Sequence, residues 1–276
     1  MTDLAPAHRL WATRAVVFDT DGVITDTARV HAAAWKAAFD AHLRARAPRP
    51  AATPPSPRPP APQDAPRPAA APAGDPRFAP FDEVADYLRY VDGKSRLDGA
   101  AAFLAARGTA PSPATVRAVA AEKERLFTEL LRERGVRTFP GTVRLVRALR
   151  GAGVPVAAVS ASRHAREVLA AARVADLFDV CVDGDEAARL RLPGKPDPAL
   201  FLEAARRLAV PPARCAVAED ALAGVEAGRR GGFGLVVGVD RAAGPTTGDA
   251  LRRAGADLVV HDLAELLPAP REGVPS

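Results

Sequence analysis

The chain is 276 residues long, 48 % hydrophobic, with a formal net charge of +5. That length supports a full core with one domain and a smaller appended one, and no apolar run approaches the roughly 18 residues of a membrane span. The positive balance does not mark a nucleic-acid surface: Arg44, Arg46, Arg49, Arg58, Arg67 and Arg77 outnumber Asp64 and Asp75 within one stretch, about one net charge remains elsewhere, and no basic stripe carries interleaved aromatics.

The first predicted element is a strand over Arg14–Phe18, a short apolar run that ends in Asp19-Thr20-Asp21-Gly22-Val23. Thr27–Ala45 is alanine-rich with apolar residues at helical spacing, and helical patterns resume at Phe81–Tyr90, Asp98–Arg107 and Pro113–Glu133. Between them, residues 48–80 are mostly proline and alanine. Such a segment buries too little apolar surface to offset its ordering entropy, so a disordered or polyproline-like insertion is expected, with a proline-rich binding motif as the alternative.

From Phe139 onward strands and helices alternate. Helices are expected over Thr142–Arg150, Arg163–Ala172, Pro198–Leu208 and Leu222–Arg229. Strands are expected over Val154–Val159, Val180–Val182, Cys215–Ala218, Gly234–Val239 and Leu258–Val260. Short apolar runs separated by helices imply an α/β fold, a doubly wound parallel sheet with an inserted α-helical module. The expected division is an α/β core over 1–26 and 139–276 and a helical cap over 27–138, interrupted at 48–80. Cys181 and Cys215 lie in strand-like stretches where buried free thiols are expected, and the first residues lack the apolar region of a secretory signal; a cytoplasmic protein is expected.

Four chemically useful pieces fall at predicted strand ends. Asp19 and Asp21 follow the first strand, where one carboxylate can attack an electrophile while the other carries a proton. Ser160 ends the Val154–Val159 strand, Lys195 sits in Gly194-Lys195-Pro196-Asp197-Pro198, and Glu219-Asp220 end the Cys215–Ala218 strand. Asp197 is a good N-cap, with Pro198 at the first helical position. Lysine is scarce here, at 36, 94, 123 and 195 only, so a compact point charge at 195 stands out against the prevailing arginine. Together the carboxylates suit a hard divalent cation, and serine and lysine complete a phosphate cradle.

These four motifs, in this order, resemble the haloacid dehalogenase-like superfamily. Within it, Asp19-Thr20-Asp21-Gly22-Val23-Ile24-Thr25-Asp26-Thr27 with His31 and Ala34-Trp35-Lys36, the cap loop Gly93 and Ser95-Arg96 then Asp98, and Ser160-Ala161-Ser162 resemble the β-phosphoglucomutase family. The resemblance implies that Asp19 is the nucleophile that forms an aspartyl phosphate and Asp21 the general acid and base. It implies Mg²⁺ held by the Asp19 carboxylate, the Asp21 backbone carbonyl and Asp220, with Glu219 beside them. Ser160, Ala161 and Lys195 would bind the transferring phosphate, and Thr27, His31, Trp35, Gly93, Arg96, Lys123 and Ser162 the rest of the substrate. On the residues alone, His31 and Trp35 also fit one buried helix face, and Arg96 a solvated surface.

The implied reaction interconverts β-D-glucose 1-phosphate and D-glucose 6-phosphate, with β-glucose 1,6-bisphosphate as the activating intermediate and Thr25–Thr27 as the cap hinge. A phosphatase acting on a sugar phosphate or other small ester is the alternative with the same motifs, and a catalytically idle binding or regulatory member is the alternative outside enzymology. A dehalogenase is disfavoured because Asp21, the acid for an oxygen leaving group, is present. A monomer is expected, whose partner is a small sugar phosphate, with no nucleic acid, membrane or protein partner. Three positions depart from the family pattern: Asp92 in place of lysine, and Glu124 and His164 each in place of asparagine.

Overall fold

The computed structural model describes residues 6–47, 75–108, 110–241 and 247–268. Most of the proline-rich stretch, 48–74, lies outside them. Six strands, β1 (Ala15–Asp19), β2 (Val156–Val159), β3 (Val180–Val182), β4 (Cys215–Glu219), β5 (Leu235–Val239) and β6 (Leu258–Val260), form one sheet in the order β3-β2-β1-β4-β5-β6. Every pairing is parallel.

Both faces of the sheet are covered, which explains why its strands read as unbroken apolar runs rather than alternating ones. Val16, Phe18, Val156, Ala158, Ala216, Ala218, Leu235 and Val237 pack on one face with Leu145, Val146 and Leu149 from the helix α5 (Pro140–Gly151). Ala15, Val17, Ala157, Val159, Cys215, Val217 and Val236 pack on the other. That second layer comes from Leu200, Phe201 and Ala204 of α8 (Ala199–Arg207), Val225 of α9 (Leu222–Arg230) and Leu251 of α10 (Thr247–Ala254). The remaining helices of this half are α1 (Pro6–Trp11), α6 (Ala165–Ala171) and α7 (Gly184–Leu190).

The strand order places the site. The chain winds from β1 outward through β2 and β3, then returns to the other side of β1 with β4. That reversal leaves a crevice at the carboxyl ends of β1 and β4, the place where open parallel sheets bind ligands. Asp19 and Glu219 are the last residues of those two strands.

The helical module consists of α2 (Ala28–Arg46), α3 (Arg96–Ala106) and α4 (Pro113–Arg134), with its own core. Trp35 and Phe39, one helical turn apart, stack with centroids 4.8 Å apart, and Phe103 meets Phe39 at 4.1 Å and Phe81 at 5.1 Å. Two segments join module to sheet: Asp26 N–H donates to Arg137 O, Phe139 N–H to Ile24 O, and Thr25 bridges antiparallel to Thr138.

The helix expected over Phe81–Tyr90 is shorter. Phe81 is pinned before it, its N–H donating to Asp40 Oδ1 and its carbonyl accepting from Lys36 Nζ, and Asp82 Oδ1 accepts from the N–H groups of Val84 and Ala85. Only there does the chain wind, ending in a π-helical turn over Tyr87–Val91. Helix α8 begins at Ala199, one residue after the expected start, so Pro198 rather than Asp197 takes the N-cap position, while the Ala199 N–H still donates to Asp197 Oδ1. No helix among the described residues is long and apolar enough to cross a membrane.

Candidate active site

At the end of β1 the backbone turns sharply. Gly22 has φ +91°, and a Cβ there would fall 1.8 Å from Asp220 Oδ2, so glycine is required both by conformation and by the neighbouring carboxylate. The turn separates Asp19 from Asp21. Asp19 Oδ2 accepts from the Asp21 N–H at 2.9 Å, and the Asp21 carboxylate points away from the strand-end cluster.

Asp19 faces Lys195, which is 3 % exposed and ion-paired to both Asp19 Oδ1 and, at 2.6 Å, Glu219 Oε2. Burial alone would lower the ammonium, but the two carboxylates hold it well above the lysine range. The other Glu219 oxygen accepts from Asp220 N–H at 3.2 Å and Ala221 N–H at 3.0 Å, so Glu219 fixes the lysine in position. Asp19, Glu219 and Asp220 each offer an oxygen within 4.8 Å of the others. Burial, then Glu219, push Asp19 well above the usual carboxylate range; burial, then Asp92, do the same to Asp220. One lysine therefore does not neutralise the cluster. An all-oxygen donor set with surplus negative charge fits a hard divalent cation, which would supply the missing charge.

Asp21 is held differently. Its Oδ1 accepts from Thr27 Oγ1 and meets His31 Nε2 at 3.2 Å, and its Oδ2 accepts from Ser160 Oγ at 2.9 Å. Burial would raise this carboxyl, yet His31, Thr27 and Ser160 together hold it well below the usual range. Behind His31, Lys123 Nζ lies 2.8 Å from Nδ1. An ammonium only donates, so Nδ1 is the acceptor and the ring proton sits on Nε2, directed at Asp21. Burial, then Lys123, lower the His31 pKa, in keeping with a neutral ring. Phe127 stacks on that ring at 4.1 Å. Asp21 is thus fixed by α2 and α4 of the helical module as well as by the end of β2.

A cavity of about 380 Å³ lies between module and sheet. From the sheet side it is lined by Asp19, Asp21, Ala161, Ser162, Lys195 and Glu219, and from the module by His31, Trp35, Gly93, Arg96 and Lys123. Thr27 and Ser160 meet it through Asp21. Gly93 closes one wall with φ +68°, where a Cβ would lie 2.9 Å from that of Ala221. Asp92 is pushed up to about 7, first by burial and then by Glu219, against the pull of Lys195. Arg96 is ion-paired to Glu124 rather than solvated, and Glu124 Oε1 lies 2.8 Å from His164 Nε2.

One residue that no motif flags braces this site. Arg241, just past β5, donates from Nε to Gly22 O at 2.7 Å and from Nη2 to Val23 O at 3.1 Å, with its guanidinium 3.6 Å from the centre of the Phe139 ring. Its signal is absent from local sequence because Gly22, Val23 and Phe139 lie more than a hundred residues away.

The family model for haloacid dehalogenase-like hydrolases matches residues 13–232, and the chain belongs to that family. It is 42 % identical to a β-phosphoglucomutase of Mycobacterium bovis over 263 residues, 92 % of this chain and 91 % of that protein. A crystal structure of β-phosphoglucomutase from Clostridium difficile superposes with a TM-score of 0.67 at 25 % identity, covering 92 % of this chain and 93 % of the other. A trehalose-phosphate phosphatase of Mycobacterium leprae is 41 % identical over 132 residues, 46 % of this chain and 28 % of that protein. The chain is an enzyme of the mutase or related phosphatase kind.

Lys195→Met should destabilise the metal-free protein by about 3–5 kcal/mol, because two buried carboxylates lose their cation. Adding Glu219→Gln should recover part of that loss in urea unfolding, and a double variant no more stable than the single one would contradict the pairing. Burial lowers Lys123 to about 8. Its ammonium is therefore present below that pH and lost as pH rises through it, and NMR of ε-¹³C-labelled lysine should show this titration. A Lys123 that titrates near the ordinary value of 10.5 would contradict its burial against His31.

Proposed function

We propose that the chain is a β-phosphoglucomutase, interconverting β-D-glucose 1-phosphate and D-glucose 6-phosphate through a phosphorylated Asp19. The observation that carries this reading is the way Asp21 is held. Its carboxylate is gripped by Thr27 and, through His31, by Lys123 on the helical module. The acid–base group is therefore set in place when the module covers the crevice, a condition under which a sugar hydroxyl competes best with water.

Asp19, Asp220 and the Asp21 backbone carbonyl, with Glu219 beside them, would hold Mg²⁺. That ion supplies charge neutralisation between the anionic nucleophile and the anionic phosphate. Lys195 and Ser160, with the backbone at Ala161, stabilise the equatorial oxygens of the transferring group. Starting from phosphorylated Asp19, the hydroxyl at C6 of glucose 1-phosphate attacks phosphorus, gives its proton to Asp21, and leaves Asp19 as a free carboxylate. The resulting 1,6-bisphosphate turns end for end. Asp19 then attacks the phosphorus on the C1 oxygen, and Asp21 returns the proton to the departing oxygen, giving glucose 6-phosphate. An Asp21 held below the usual carboxylate range waits ionised, ready for the first of these transfers. Trp35, Gly93, Arg96 and Ser162 shape the part of the cavity that receives the rest of the sugar phosphate, and Thr25–Thr27 with the facing segment Arg137–Phe139 is the hinge.

The likeness to a trehalose-phosphate phosphatase over 46 % of the chain favours a second reading, in which water takes the phosphoryl group from Asp19. Phosphorus NMR separates the two. With Mg²⁺ and a trace of β-glucose 1,6-bisphosphate, β-glucose 1-phosphate should yield glucose 6-phosphate without inorganic phosphate. Inorganic phosphate as the main product would establish the phosphatase instead. In the same assay Asp21→Asn should slow turnover by about 10²–10⁴-fold, the usual scale of general acid–base catalysis, and an unchanged rate would remove Asp21 from that role.

A further inference from the structure

Two departures from the family pattern, Glu124 and His164, turn out to be a single structural unit. Glu124 on α4 reaches across the cavity wall, one carboxylate oxygen toward His164 Nε2 at 2.8 Å and the other paired with Arg96 Nη1. Arg96 opens α3 and Glu124 lies on α4, both in the helical module, whereas His164 precedes α6 in the sheet half. His164 is held in turn by Glu167, 2.9 Å from its Nδ1, and its ring packs 5.6 Å from that of Phe127. The contact joins module to sheet at the cavity wall, where Arg96, Glu124, Ser162 and Arg163 line it.

The charge arrangement there is unusual for a place meant to take an anion. Arg96 and Glu124 are each about one-quarter exposed, so their pairing is screened only in part. Arg96 Nε is buried and has no hydrogen-bond partner among the described residues. The guanidinium thus has its Nη1 taken by an internal carboxylate, and its buried Nε adds no donor that a ligand in the cavity could reach.

We propose that Glu124 determines specificity at the Arg96 side of the cavity: it is a built-in carboxylate that clasps the module to the sheet through His164 and competes with a ligand's second anionic group for Arg96. The inference rests on the phosphoryl-transfer reading of the site. A ligand whose only anionic group is the transferring phosphate leaves the clasp intact. A sugar bisphosphate must draw Arg96 away from Glu124 or share it, so the second phosphate is gripped more weakly than by an arginine free of a carboxylate. Like-charge repulsion between Glu124 and that phosphate acts in the same direction.

The test uses the full chain with Mg²⁺, in an Asp19→Asn background that prevents transfer, and reads equilibrium binding by calorimetry. Glu124→Gln should tighten β-glucose 1,6-bisphosphate about tenfold and leave inorganic phosphate, which needs only the Ser160–Lys195 end, unchanged. His164→Asn releases the sheet-side half of the clasp but keeps the Arg96–Glu124 pair, so it should not tighten the bisphosphate. Without ligand, both substitutions should speed amide hydrogen exchange where α4 meets α6. Equal bisphosphate affinity with and without Glu124→Gln, or equal tightening of both ligands, would overturn the proposal alone. A protein that binds phosphate but no bisphosphate in any variant would overturn the mutase reading and this proposal with it.

Discussion

The site is organised around one buried ammonium among more acids than it can neutralise. Lys195 sits between Asp19 and Glu219 at the ends of two adjacent strands, with Asp220 close by and Asp92 brought in from the helical module. Isolated buried charges of this kind are costly, and they persist only when paired and hydrogen-bonded. The fold meets that condition locally. Glu219 spends one oxygen on Lys195 and the other on two backbone N–H groups, and Gly22 makes room for Asp220 where any side chain would collide with it. The surplus negative charge that remains is the physical reason the cluster suits a divalent cation.

Asp21 escapes this crowd by a single turn of backbone. Asp21 exchanges the strand-end cluster for hydroxyls from Thr27 and Ser160 and an N–H from His31, and the two carboxyls are driven in opposite directions as a result. Divergent environments for neighbouring acids are what a division of labour between nucleophile and proton carrier requires. Because His31 and Lys123 belong to the helical module, Asp21 and the position of the module are linked through direct contacts.

Much of this was legible in the sequence because the relevant signals are local. A strand buried on both faces announces itself as an unbroken apolar run, and the acids, the serine and the glycine-lysine loop each follow such a run or precede a helix. The Asp-Thr-Asp-Gly motif carries its own turn. What stayed hidden depends on contacts between distant segments. Arg241 braces Gly22 from more than two hundred residues away and looks like any surface arginine after a strand. Glu124 and His164 read as two separate departures, although they meet in one side-chain hydrogen bond across 40 positions. The helix expected from Phe81 starts late because Lys36 and Asp40 capture Phe81, an interaction that spacing within the segment cannot reveal. Helices α1, α7 and α10 have no counterpart among the expected elements; α7 buries none of its residues and so shows no apolar stripe.

The account stands on Asp19 as the atom that carries the phosphoryl group between ends of the sugar. Its most direct test is to incubate the protein with Mg²⁺ and β-glucose 1,6-bisphosphate, quench with acid, reduce the acyl phosphate with borohydride, and locate the modified residue by mass spectrometry. The account predicts modification of Asp19 alone, absent when Asp19→Asn is treated in the same way. A phosphoryl group found on Ser160 or His31, or turnover with Asp19 never modified, would contradict it.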